Sequence, residues 1–353
     1  MDPTSGDRAL SVDLIRTVAI ILVILLHAAT ESHPIVDIMA PDEMVRWWAS
    51  NFYNSLARPC IPLFVMLGGA LLLQPSKVDE PLRVFFKHRW ARIGLPVIFW
   101  GIIYFSWRFF INGEPVSTVS ILQGLLDGPY IHFWYIYLLI GLYLMTPVLR
   151  VVLARSSWKI LKYFMLIWLV GTPLMHVFNF IRPMLNPNVF LVTGWLGYFV
   201  LGACLIRIKL RRPILYLMFV IGYVATVFGT YLAVGTIGER VSQIFYDSFS
   251  FSVIMASIAL FMLLTPVSPQ SIETRRPRGN LLLHHISQNT LPIYLFHVII
   301  LETLQKGYLG FKISIVTMNP FLEIPLITFV TLIICLGVIV PAKKVLHLGR
   351  IIG

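Results

Sequence analysis

Two residues able to do chemistry, Arg16 and His27, are embedded in the apolar stretch Ser11-Val-Asp-Leu-Ile-Arg-Thr-Val-Ala-Ile-Ile-Leu-Val-Ile-Leu-Leu-His27. A charged side chain inside a membrane-crossing helix costs roughly 2.5 kcal/mol or more unless it faces protein or water, so an arginine there is a functional hypothesis by default. At about 100° per residue, eleven residues bring a helix almost back to its starting direction while it advances about 16 Å, so one face carries both side chains. Taken singly, each also reads as an interfacial residue reaching for headgroups. Two independently placed interfacial residues have no reason to align, whereas the wall of a protein-facing channel requires it.

Arg89 and Arg92 stand three residues apart in Phe85-Phe-Lys-His-Arg-Trp-Ala-Arg-Ile-Gly-Leu-Pro96 and would share the first turns of a helix. Paired guanidinium groups suit bidentate recognition of phosphate, and they equally suit anchoring to an anionic lipid surface. Arg58, just before Pro59 in the second apolar stretch, needs a carboxylate or a cavity, with Glu302 and Asp247 as candidate partners for a structural ion pair or a catalytic one. His132, in Ile131-His-Phe-Trp-Tyr, and His297, in Tyr294-Leu-Phe-His, join His27 at similar depth. General base catalysis needs one imidazole within hydrogen-bond reach of a hydroxyl. No accompanying acid or cysteine stands at metal-ligand spacing, so no metal is expected.

These side chains must be positioned by helices in a bilayer. The chain has 353 residues, 58% of them hydrophobic and only 12% charged, with mean hydropathy +0.81. That is too little polar surface to coat a soluble globule, and the apolar stretches run about 20 residues, the length an α-helix needs to cross ~30 Å of hydrocarbon. The reading is an all-α, polytopic membrane helix bundle of about ten transmembrane helices, near 10–29, 49–73, 93–111, 130–149, 161–180, 189–206, 213–235, 245–266, 284–305 and 320–341, forming one membrane domain over 1–353. Loops alternate between basic and non-basic. Of the 28 Lys and Arg, all but Arg46, Arg58, Arg108, Arg182, Arg240, Lys306 and Lys312 fall on one side, so the positive-inside rule places both termini in the cytoplasm. The net charge of +12 is therefore a topological signal, and no nucleic-acid partner is expected. Arg16 interrupts what would be the apolar region of a cleavable signal, so the first helix is expected to stay. Cys60, Cys204 and Cys335 lie in separate apolar stretches and read as packing residues. An aligned line of intramembrane charges also fits a transporter or flippase for lipid-linked sugars or small solutes; that reading predicts an inverted repeat, and the sequence shows none.

The ordered set of motifs resembles the acyltransferase type 3 family of integral membrane O-acyltransferases. Arg16, ten residues and His27 resemble its first-helix motif; Arg89-Trp-Ala-Arg92, after Pro62-Leu-Phe-Val-Met-Leu-Gly-Gly-Ala-Leu-Leu, resembles its Arg-x-x-Arg motif; Tyr294-Leu-Phe-His297 resembles its late motif. The likeness runs from about Ser11 to Pro341, with Gly68-Gly69 where many members have Ser-Gly. The stretch from His132 to Tyr143 is similar to members that acetylate bacterial surface polysaccharides. The resemblance implies transfer of an acyl group, commonly acetyl, from cytoplasmic acyl-coenzyme A to a hydroxyl of a cell-surface or lipid-linked carbohydrate, in the cell membrane. It implies Arg16, Arg89 and Arg92 as the coenzyme-binding residues and His27 as the catalytic base. Glu302, Glu31 or His297 would orient that base. Besides donor, acceptor and membrane lipids, no partner is implied.

Overall fold

In the computed structural model the described residues are 5–30, 41–181, 194–236, 239–265, 279–314, 318–345 and 348–353, and helices joined by turns account for them, with no strand among them. The first helix, α1 (Ser5–Thr30), is continuous through Arg16 and His27. The second span breaks into α2 (Pro41–Ala57) and α3 (Cys60–Leu72) at Arg58-Pro59, where the proline has no N–H to continue the ladder and its carbonyl instead accepts from Leu63 N at 2.9 Å. Next come α4 (Leu82–Ser106), which closes in a π turn over Trp107–Ile111, α5 (Thr118–Asp127) and α6 (Trp134–Arg155). Between the last two, Gly128 at φ 105° makes a bend that a side chain would strain.

The remaining elements are α7 (Trp158–Ile181), α8 (Trp195–Leu205), α9 (Arg212–Thr236), α10 (Glu239–Tyr246), α11 (Phe251–Leu264), α12 (Gly279–Gln288), α13 (Thr290–Lys306), α14 (Pro320–Ala342) and α15 (Leu348–Ile352). Among the described residues eight helical segments are long and apolar enough to cross a membrane, so the chain is an integral, multi-pass membrane protein. The sixth and ninth expected spans are shorter. α8 has 11 residues, about 16 Å. The ninth is divided at Asn289 into α12 and α13, because Pro292 has no N–H with which to carry the ladder across; Asn289 Nδ2 closes the joint by donating to His285 O at 2.7 Å.

The position of α1 sets the geometry of the site. It packs against α2, α3, α12, α13 and α14, and Ala19, Ile20, Ile24, Ala28 and Ala29 are wholly buried. α3 and α8 cross so closely that a Cβ on Gly69 would lie 1.7 Å from Phe199 O and one on Gly202 1.9 Å from Met66 O. Outward-facing rows such as Ile160, Tyr163, Leu166 and Ile167 on α7 are exposed, a surface suited to lipid rather than water.

Candidate active site

At the end of the bundle where the basic loops gather, a cavity of about 420 Å³ opens between α1, α3, α4, α6, α12 and α13. Ligand sites run from roughly 300 to 1,000 Å³. Five cations line it: Arg16 from α1, Lys77 from the turn after α3, Arg89 and Arg92 from α4, and Lys343 from the end of α14, with no aspartate or glutamate side chain among its walls. The three arginines singled out from sequence thus share one cavity; Lys77 and Lys343 were legible only as loop charges. Burial, and next the Arg92 guanidinium, hold the Lys343 ammonium below its ordinary value, the effect of crowding cations where water is scarce. Arg89 lies over Phe85 and Tyr143, its carbon 5.5 and 5.7 Å from the ring centres. Its buried Nε has no hydrogen-bond partner. Arg150, counted among the loop charges, is a structural clamp: Nε donates to Leu72 O at 2.7 Å and Nη1 pairs with Glu80 at 2.8 Å.

The inner wall of the cavity includes Tyr135 and Tyr294. Beyond Tyr294 lie three histidines. The Tyr294 hydroxyl donates to His132 O at 2.6 Å, and its carbonyl accepts from His297 Nδ1 at 2.7 Å. His27 and His297 are ring neighbours with centroids 5.1 Å apart, and His132 is 5.6 Å from His297. Because a carbonyl only accepts, Nδ1 of His297 carries a proton, and in the neutral ring Nε2 is the acceptor; that atom is buried and has no hydrogen-bond partner. His27 is half-buried. No three His, Cys, Asp or Glu side chains among the described residues converge as a metal site. Tyr294 is the residue whose role sequence reasoning missed. The signal available was its spacing of three from His297, one helical face.

Glu302 does not reach this pair. It lies five residues beyond His297, about 7.5 Å further along α13, and its carboxylate accepts from Trp107 Nε1 at 2.8 Å and from the Tyr130 hydroxyl, with Lys306 Nζ at 3.3 Å. Trp107, Tyr130 and Lys306 hold the Glu302 carboxylate, one of the three groups expected to orient His27, at the acidic end, where Arg108 pairs with Glu114 at 2.6 Å. Glu31 lies outside the described residues. Neither carboxylate offered as a partner for Arg58 pairs with it: Asp247 accepts from Phe249 N at 2.7 Å and stands 3.8 Å from His176. The Arg58 guanidinium instead lies 4.3 Å from the centre of the Tyr246 ring.

A family model described as an acyltransferase domain matches residues 10–340. No curated protein and no solved structure matches the chain.

Proposed function

The chain belongs to the acyltransferase type 3 family and is a membrane acyltransferase, and from that premise we propose that it moves an acyl group, acetyl in the simplest case, from acyl-coenzyme A to a hydroxyl of a cell-surface or lipid-linked carbohydrate. The observation that carries the reading is the acid-free cavity with five cations, separated from the histidines by Tyr294. The cations suit the coenzyme's phosphates. A thioester held by its phosphates at the basic end, with its acyl arm passing Tyr294, comes to His27, about 16 Å along α1 from Arg16. His27 then takes the proton of the acceptor hydroxyl as that oxygen attacks the carbonyl carbon. His297, whose ring stands 5.1 Å from that of His27 and whose Nε2 is free to accept, is the group nearest to orient the base, the role that the engaged Glu302 carboxylate leaves open.

Purified protein tests this. It should bind coenzyme A and release thiol from acetyl-coenzyme A. Arg89→Lys with Arg92→Lys keeps both charges and removes the forks, so affinity should fall by about tenfold, roughly 1.4 kcal/mol, with normal insertion. Unchanged affinity would return the pair to lipid anchoring. Transport of a lipid-linked sugar would leave the thioester intact, so a protein that binds no coenzyme A and releases no thiol defeats the proposal. Extracted glycans from cells with and without the chain should differ by the mass of one acetyl group.

A further inference from the structure

Arg58 lies level with His27, and one bond sets the register. Asn54 Nδ2 donates to Thr30 Oγ1 at 3.4 Å, while Arg16 on α1 and Leu72 on α3 meet at the basic cavity, so the first and second spans run antiparallel. Four residues onward from Asn54 and three back from Thr30 move about 6 and 4.5 Å toward the basic end, which brings Arg58 opposite His27. Asn54 and Arg58 share a face at i, i+4, and His27 and Thr30 share theirs at i, i+3. The faces that meet at the bond therefore also meet one turn deeper.

Arg58 is held as if for a ligand. Its guanidinium carbon lies 4.3 Å over the Tyr246 ring, whose hydroxyl donates to Asn51 Oδ1 at 2.7 Å and is thereby fixed. Stacking occupies the face of a guanidinium and leaves its edge donors free. Arg58 Nε and, one turn away, Asn54 Oδ1 are buried without hydrogen-bond partners, and no carboxylate stands within 4 Å of Arg58 among the described residues. Arg58 is half-buried with Nε enclosed, and the negative charge nearest it, Asp247, acts only across a distance, so a bound group that supplies negative charge in contact would be held strongly there.

Resting on the acyl-transfer reading, we propose that Arg58 is a further catalytic residue, which stabilises the oxyanion formed at the thioester carbonyl. As the acceptor oxygen bonds to the carbonyl carbon, its proton passes to His27 and the carbonyl π pair moves onto oxygen, where the Arg58 N–H groups meet it. When that pair returns, the carbon–sulfur bond breaks and the leaving thiolate takes the proton from His27. Preorganised donors aimed at developing charge act in this way in other acyl transfers.

Thiol release from acetyl-coenzyme A, with water as acceptor, tests this in the purified full-length protein alongside coenzyme A affinity. Arg58→Gln should bind coenzyme A within about twofold of the parent and lose roughly 10²–10³-fold in turnover, with Arg58→Lys losing less. In Arg58→Ala, millimolar guanidinium chloride should restore turnover by about tenfold or more where equal sodium chloride does not. Arg58→Gln turnover within about threefold of the parent overturns the proposal. So does a loss that tracks coenzyme A binding or folding in all three variants without guanidinium rescue, which would make Arg58 structural. A parent protein that releases no thiol instead removes the acyl-transfer reading itself.

Discussion

His297 donates Nδ1–H to Tyr294 O, which leaves Nε2 as the acceptor of the neutral ring, and that ring stands 5.1 Å from the His27 ring. If that nitrogen orients the base, removing it should slow turnover without touching the donor's phosphates. We expect His27→Ala to lose roughly 10²–10⁴-fold in turnover and His297→Phe, which keeps the ring volume and removes the acceptor, about 10²-fold, both with coenzyme A affinity retained. Glu302→Gln should keep turnover within about threefold and instead loosen the Trp107–Tyr130–Lys306 cluster, visible as a lower Tm. Single-turnover transfer and thermal unfolding on the same samples check this order; His27→Ala at the parent rate would make His297 or His132 the base. The Arg16–His27 face was legible in the sequence because it depends only on helical period. The partners of Glu302 and Arg58 were not, because Trp107, Tyr130 and Tyr246 come from other helices and only packing chooses among them.

The close crossing of α3 and α8 shows what fixes the elements around that face. In lipid, helices approach through small residues that let backbones touch, and Gly69 and Gly202 do this at Phe199 O and Met66 O. Those contacts are backbone and cannot yield, so Gly69→Ala or Gly202→Ala should cost at least about 1–3 kcal/mol. Gly68, one position along and lining the cavity, meets only the Phe199 ring edge, at 3.3 Å. Gly68→Ser should therefore lower Tm less than Gly69→Ala; an equal loss, measured by thermal unfolding in detergent, would deny the crossing this role. The sequence shows Gly68-Gly69 plainly but not which of the two touches a neighbour, since that depends on the rotation of α3 against α8. Helix existence was legible from hydropathy. The joint at Asn289 and the 11 residues of α8 were not, because an apolar run does not show where its ladder stops.

At the scale of the whole molecule, the separation of charge by end would give the proposed reaction its direction. Arg16, Lys77, Arg89, Arg92 and Lys343 meet in one cavity, while Glu114 and Glu302 belong to the polar cluster at the opposite end. The positive-inside rule would face the cavity toward the cytoplasm, the compartment in which the proposed donor is made. Single cysteines can read this directly because Cys60, Cys204 and Cys335 are buried and should stay silent. Placed at Glu114 or Asp127, between α4 and α6, a cysteine should react with an impermeant thiol reagent added outside intact cells. Placed at Ser76, Arg155 or Lys209, all exposed at the basic end, it should react only after the membrane is opened. Coenzyme A added to opened membranes should slow labelling near the cavity, at a cysteine replacing Ser76, more than at Lys209, which is not part of its lining. The reverse pattern would put the five cations on the outer face, where an acyl-coenzyme A donor has no supply. The cavity would then have to bind some other anion, and the direction of transfer proposed here would fail even if every residue role inside the bundle survived.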